Sequence, residues 1–289
     1  MTGIVTGINY SLLFSSGSTA SDASASILSA LYGSNVASST AVSTGNPLTD
    51  LKLAQTNETA DVAKEAKTPQ VARDIAAFQQ GIAKAKDIGA ALSNPNVLKV
   101  LLTANNLASQ VQYPGLAKKV LLSDPSDGKS LVNQLSNKAW LSAAKTYDFA
   151  KNGLAALENP KVIATLTHAY AEVLWRQSLE TATPGLSNAL AFLTQASSAK
   201  TADDILGDPV NRAVVTTALG IPQQIAFQSL TAQETAITSR LDITKLQDPK
   251  FVKALTSQYL LAMQQNKRAS TGNNPDLMSL ATQAGGLVV

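Results

Sequence analysis

The residues that could carry chemistry are few and scattered in this 289-residue chain. Its one histidine, His168, lies inside a strongly periodic stretch, two residues from Tyr170. A zinc site needs three or four nitrogen or sulfur ligands, and a chain with one histidine and no cysteine cannot supply them. The same lack of cysteine excludes disulfides and thiolate nucleophiles. The run Asp124-Pro125-Ser126-Asp127-Gly128 has the look of a calcium loop. An EF-hand, however, needs glycine at position 6 and a bidentate Glu at position 12; counted from Asp124, glycine falls at position 5 and Leu135 at position 12. Capping and turn formation account better for these aspartates and for Asp203-Asp204. No nucleophile elbow, phosphate loop or dinucleotide fingerprint is present. What remains for acid and base work is a pair of carboxylates, Glu172 with Glu180 or Asp203 with Asp208, and nothing in their spacing prefers that role over solvated helix faces. The chain reads as a non-enzyme with no cofactor and no metal.

Any site must therefore be a surface, positioned by helices. Apolar residues Val162, Ile163, Leu166, Tyr170, Val173 and Leu174 follow the 3.6-residue repeat from Lys161 to Glu180, with Glu172 and Arg176 spaced for an ion pair on the opposite side. The same pattern predicts helices over 69–92, 95–107, 137–150, 184–196, 209–219, 232–241 and 249–264. No stretch alternates with period two, so the fold class is all-α. Helix starts are marked by a cap-type residue before proline: Thr68, Asn94, Asn159, Thr183, Asp208, Asp248 and Asn274. Proline at the first helical position has the right φ and lacks an N–H that would go unpaired. Trp140, Trp175, Phe192, Phe227 and Phe251 fall where periodicity turns them inward, as core rather than ligand box.

The punctuation repeats. Thr68-Pro69 returns 115 residues later as Thr183-Pro184, Asn94-Pro95 returns after 114 as Asp208-Pro209, and Leu135, Asn137 and Trp140 match Leu246, Asp248 and Phe251 after 111. This predicts two diverged tandem copies of a multi-helix module, over 47–155 and 156–266, followed by a tail over 267–289. Ahead of them, residues 1–46 form a Ser/Thr-rich arm in which Asp22 is the only charged residue. Such a segment buries too little apolar surface to offset its ordering entropy and reads as flexible. Its apolar tip, Ile4, Val5, Ile8, Tyr10, Leu12, Leu13 and Phe14, suits docking on a partner.

Composition narrows the partners. Charged residues are 15% of the chain and the net charge is +3, with dispersed lysines. Nucleic-acid binding calls for a basic stripe with stacking aromatics, which is missing. No apolar run approaches the roughly 18 residues of a membrane-spanning helix, and the N-terminus lacks the basic region and cleavage site of a secretory signal.

A longer pattern sits in the second half: AYAEVLWRQSLE (169–180), TPGLSNALAFL (183–193), DDILGDP (203–209), VVTTALGIP (214–222) and SRLDITKLQDPKFVKALTSQYL (239–260). It resembles the bacterial family labelled domain of unknown function 1217, over roughly residues 68–261, with the first copy more diverged. Ser187 and Asn188 stand where family members tend to carry an arginine, which puts a family-wide ion pair there in doubt. The resemblance implies an all-α protein from the flagellar gene neighbourhood of alphaproteobacteria, with no catalytic residues to carry over. It also gives the uncharged arm a meaning, since flagellar type III export substrates commonly present such a leader. The expected function is a non-enzymatic flagellar structural or assembly protein, exported or associated with the axial structure or basal body, acting on other flagellar or export-apparatus proteins. The alternative is a cytoplasmic flagellar regulator or chaperone-like adaptor, and the third reading is a hydrolase with an unrecognised carboxylate site.

Overall fold

Short helices with proline at the first position and a side-chain cap in front of it dominate the chain, because each such start is fixed locally. The computed structural model describes residues 43–272. The longer helices are α1 (Pro47–Glu65), α2 (Pro69–Ala83), α3 (Pro95–Ala104), α4 (Pro114–Leu121), α5 (Lys138–Tyr147), α6 (Pro160–Ala182), α7 (Leu186–Gln195), α8 (Pro209–Ala218), α9 (Leu230–Thr238) and α10 (Pro249–Gly272). Single-turn and 3-10 helices fill the connections, and there is no strand among the described residues. The all-α reading holds.

The caps act as the sequence predicts at Asn94, Asn159 and Asp208, whose side chains accept from backbone N–H groups of the first turn. Each contributes about 1 kcal/mol. Asn46 caps α1 in the same way. Two threonines depart from expectation. Thr68 donates its hydroxyl back to the Glu65 carbonyl at 2.9 Å and caps nothing ahead of it. After Thr183-Pro184 the helix starts only at Leu186, because Gly185 adopts φ +88° and the N-terminal N–H groups are capped from elsewhere. Asn274 lies outside the described residues. The stretch predicted as one helix over 69–92 is two, broken by Asp87, which restarts a short turn at Ile88–Ala91. Helix α1 was absent from the periodic stretches because its apolar residues are few and unevenly spaced, and α4 because its amphipathic pattern lasts only eight residues.

The core is one contiguous cluster running through both predicted copies, from Leu51 and Phe78 to Tyr259 and Leu260. Helix α6 packs against α1, α2, α3 and α7; α7 and α8 pack on one another, and both pack on α10. Trp140, Trp175 and Phe192 are buried and Phe251 is half-buried, as expected. Phe227 is not: it is 88% exposed. It ends a 3-10 segment, Gln223–Phe227, whose three residues per turn rotate side chains out of the α-helical register on which the inward assignment rests. Arg176 departs in the opposite direction. It was expected on the solvent face and is only 7% exposed, because α1 lies across that side of α6.

The short helix Ala202–Gly207 ties the two stretches together on another side. It packs against α5, with Lys138 Nζ 2.9 Å from Asp203 Oδ2. A Cβ on Gly207 would come within 2.5 Å of Lys138 Cγ and 2.8 Å of the Ser136 carbonyl oxygen, and the latter is backbone that cannot step aside. Gly207→Ala should therefore destabilise the protein by about 1–3 kcal/mol through overpacking. Gly115→Ala, where a Cβ meets nothing within 4 Å, should change stability by less than about 0.5 kcal/mol. Urea unfolding of the two variants beside the parent measures the contrast.

Candidate functional site

Low charge makes each buried ionisable group conspicuous, and each has an assigned partner. Asp50, on the first turn of α1, accepts from Ser43 Oγ at 2.8 Å, from Thr44 N at 2.8 Å and Oγ1 at 2.7 Å, and from Thr183 Oγ1 at 2.5 Å. Burial alone would raise this carboxyl, but the hydrogen bonds from Thr183, Thr44 and Ser43 outweigh it and hold the pKa below the usual range. The knot joins the segment entering α1 to the end of α6. Nearby, Gln264 Nε2 donates to the Gly45 carbonyl at 3.0 Å and brings α10 to the same corner. A small cavity of about 120 Å³ lies there, lined in part by Thr183, Pro184 and Gln264.

Asp74 on α2 is the second junction. Its Oδ2 accepts from Lys99 Nζ on α3 and from the buried Tyr170 hydroxyl on α6, both at 2.7 Å. Burial pushes Tyr170 upward, and the neighbouring carboxylate adds to the shift. At the third junction, Arg176 Nη1 stands 3.4 Å from Glu172 Oε1. Glu58 of α1 faces this pair and is raised by burial and by the charge of Glu172, with Arg176 and His168 opposing. The His168 side chain is 66% exposed, with Nδ1 4.0 Å from Glu172 Oε2.

The carboxylates considered for acid and base work are all engaged in structural contacts. Glu172 meets Arg176, and Asp203 meets Lys138. Glu180 accepts from Gly185 N at 2.6 Å and Ser187 N at 3.1 Å, and so caps α7. Asp208 caps α8 and accepts from Gln195 Nε2 at 2.8 Å. Asp124 and Asp127 accept from Ser126 and Lys129 within their own turns. Among the described residues no group of three or more His, Cys, Asp or Glu is placed to hold a metal ion. A wider cavity of about 330 Å³ opens beside α5 and α6, lined by Tyr147, Asn152, Asn159 and Val162 among others, and it contains no ionisable group besides the Tyr147 phenol.

The surface offers a different kind of feature. Phe227 and Leu230 are 88% and 54% exposed, and Tyr113 and Leu116 are 52% and 38% exposed. Within each pair the two residues stand three apart in the chain, and Leu53 and Leu261 are exposed as well, at 46% and 42%. Sequence reasoning missed both pairs. The available signal is charge: residues 100–117 and 213–233 contain none. The predicted partner-binding residues Ile4, Val5, Ile8, Tyr10, Leu12, Leu13 and Phe14 lie outside the described residues, as does the rest of the arm before Ser43.

Three comparisons bear on this body. The family model described as "Protein of unknown function (DUF1217)" matches residues 104–252. The crystal structure of protein AGR_C_984 from Agrobacterium tumefaciens superposes with a TM-score of 0.66 at 24% identity, covering 75% of this chain and 93% of that one. No curated protein matches. No helix among the described residues is long and apolar enough to cross a membrane.

The Asp50 knot makes a testable statement about acid. A carboxyl whose folded pKa is depressed stabilises the fold above its unfolded pKa of about 4, and that contribution is lost as pH falls through the folded value. Asp50→Asn should lower stability at pH 7 by about 1–3 kcal/mol, since Thr183 and Thr44 lose a charged acceptor. Denaturant midpoints taken from pH 7 to pH 2.5 should fall less steeply in Asp50→Asn than in the parent.

Proposed function

The chain belongs to the DUF1217 family, and on that premise we propose that it is a non-enzymatic structural or assembly protein of the bacterial flagellum that works through protein–protein contacts made by its helical body. The observation that carries the contact reading is Phe227, 88% exposed within an uncharged stretch of the region matched by the family model. Leu230, three residues on, is exposed as well, and aromatic residues are enriched among the anchors of binding surfaces. The flagellar setting rests on the gene neighbourhood that the family resemblance implies, together with the uncharged Ser/Thr-rich segment ahead of the body. In this reading that segment is the export and docking arm, the partners are other flagellar or export-apparatus proteins, and the protein resides in the flagellum or is exported through it.

The boundary between arm and body is set by hydrogen bonds at the start of α1. Ser43, Thr44 and Asn46 are hydrogen-bonded into the start of α1, so a deletion should stop at residue 42 to leave the Asp50 knot intact. Immunoblots of culture medium, purified flagella and cytoplasm would compare a strain making the full chain with one making residues 43–289. The full chain is expected outside the cell or in the flagellar fraction, with the shortened one retained in the cytoplasm. Cytoplasmic retention of both, with the same bound partner, would replace the export reading by that of a cytoplasmic adaptor.

A further inference from the structure

Helix α1 is held at its ends rather than along its length. Of its 19 residues, Pro47, Asp50, Leu51, Ala54 and Val62 are buried. Leu51 and Ala54 lie beside the Asp50 knot, and Val62 follows about two turns later. Between them the side chain that turns toward α6 is half-buried Glu58. Its carboxyl meets the Glu172 carboxylate as well as Arg176, and burial and like charge together push its pKa up. The middle of the contact therefore carries a conflict where a firmly seated helix has apolar side chains. Helix α6, by contrast, buries Leu166, Tyr170, Ala171, Val173, Trp175 and Leu179 at regular intervals.

The connections of α1 leave it separable. Its main partners are α6, α7 and α10, and α2, its neighbour in the chain, is not among them. Backbone N–H groups of Ala66, Lys67 and Thr68 donate back to the carbonyls of Val62, Lys64 and Glu65, so the connector belongs to α1. Helix α2 opens with Ala72 N on the Thr68 carbonyl, and Pro69 has no N–H to span the joint. Rotation about Thr68, which is extended at φ −61° and ψ 144°, swings α1 as one piece without breaking these backbone bonds. At the other end, Thr183 Oγ1 donates to Asp50 Oδ2 at 2.5 Å and lies 3.2 Å from Ser43 Oγ, and Gln264 Nε2 donates to the Gly45 carbonyl at 3.0 Å. The closest packing in the body, α3 on α6 and α8 on α10, does not involve α1.

We propose that α1 is a releasable strap: it lifts from α6, α7 and α10 as one unit, hinged at Thr68, while α2 to α10 stay folded, and the Asp50–Thr183 hydrogen bond is the latch that sets how often it does so. The inference goes beyond the flagellar reading and does not depend on it. Elements with few buried apolar contacts open at a lower cost than the whole domain, and α1 combines that shortage with a hinge at one end and a polar latch at the other. Lifting it uncovers the Arg176–Glu172 pair and the Thr183 hydroxyl, so a covered, charge-bearing face of α6 becomes accessible. Residues 1–42 join the start of α1 directly in the chain. Whatever binds or draws on them therefore acts on the latch before it acts on the core.

Native-state hydrogen exchange of the full-length chain, read by mass spectrometry on overlapping peptides of 47–65 and 160–182 at pH 7, tests this. The amides of α1 should share one exchange rate, at least about 100-fold above that of the buried stretch of α6. From 0 to about 2 M urea that rate should rise less than half as steeply as the rate of α6, because lifting α1 exposes less surface than unfolding the body. Asp50→Asn should speed α1 exchange at least about fivefold. A chain carrying Ser43→Cys with Thr183→Cys, in a sequence with no other cysteine, should exchange α1 at least about tenfold more slowly with its disulfide closed than after reduction. A single rate and a single urea dependence for α1 and α6 would mean one cooperative unit and overturn the proposal. So would a graded loss of protection along α1, which is fraying from one end, or an α1 rate that neither Asp50→Asn nor the closed disulfide alters. The comparison of α1 with α6 needs no substitution, so it decides the matter even where a variant folds poorly.

Discussion

A helix of ten residues is not stable alone in water, since nucleation fixes several dihedral angles before any hydrogen bond is returned. Most helices in this body are that short, and proline with a capping side chain fixes where they start without making them stable. Their stability has to come from a surface to pack on, and the 23-residue helix Pro160–Ala182 provides it. It contacts α1, α2 and α3 before it in the chain and α7 after it. Because neighbours approach it from several sides, it keeps no wholly polar face. That is why Arg176 and Tyr170 end up buried, and why they need Glu172 and Asp74. The polar junctions follow from the central position of this helix.

Those junctions also help to explain where charge is used in a charge-poor chain. Asp50, Asp74, Glu180 and Asp208 hold separate segments together, each by hydrogen bonds from backbone or side-chain donors that would otherwise be costly to bury. Stretches 100–117 and 213–233, which run from buried helix out to the surface, are left without charge. Burial raises Asp208 even though it caps α8, because two backbone N–H bonds and Gln195 do not fully replace the water it has lost. Asp50, with four donors, goes the other way. The balance between burial and the donors that reach the carboxylate decides the sign.

Local signals were legible and long-range ones were not. Asn94, Asn159 and Asp208 could be read as caps because the groups they satisfy lie two or three residues away. Thr183 shows the same dipeptide signature and fails, since its hydroxyl bonds Asp50, 133 positions back in the chain. Trp140, Trp175 and Phe192 were placed inside correctly because they sit within regular helices. Phe227 was misplaced because periodicity carried an α-helical register through a 3-10 segment. The exposure of Tyr113, Leu116 and Leu230 was hidden for a related reason: hydrophobic residues are read as core by default, and only backbone geometry shows which of them the chain turns outward.

Recognition without charge has consequences for what such a body can do. Ion pairs at a rim steer encounters and reject wrong partners through repulsion, and they weaken with salt. A neutral aromatic–leucine pair provides neither steering nor repulsion, so a single site would be slow to find its ligand and poorly selective. Selectivity can still come from geometry if two such pairs are held by a scaffold and must be met together, because a partner that engages only one forfeits the gain of the second. The stiffness between the pairs then matters as much as the anchors. In this protein α4 packs on α5, α5 on the short helix Ala202–Gly207, and that helix on α9, with Lys138 and Asp203 paired across the middle contact.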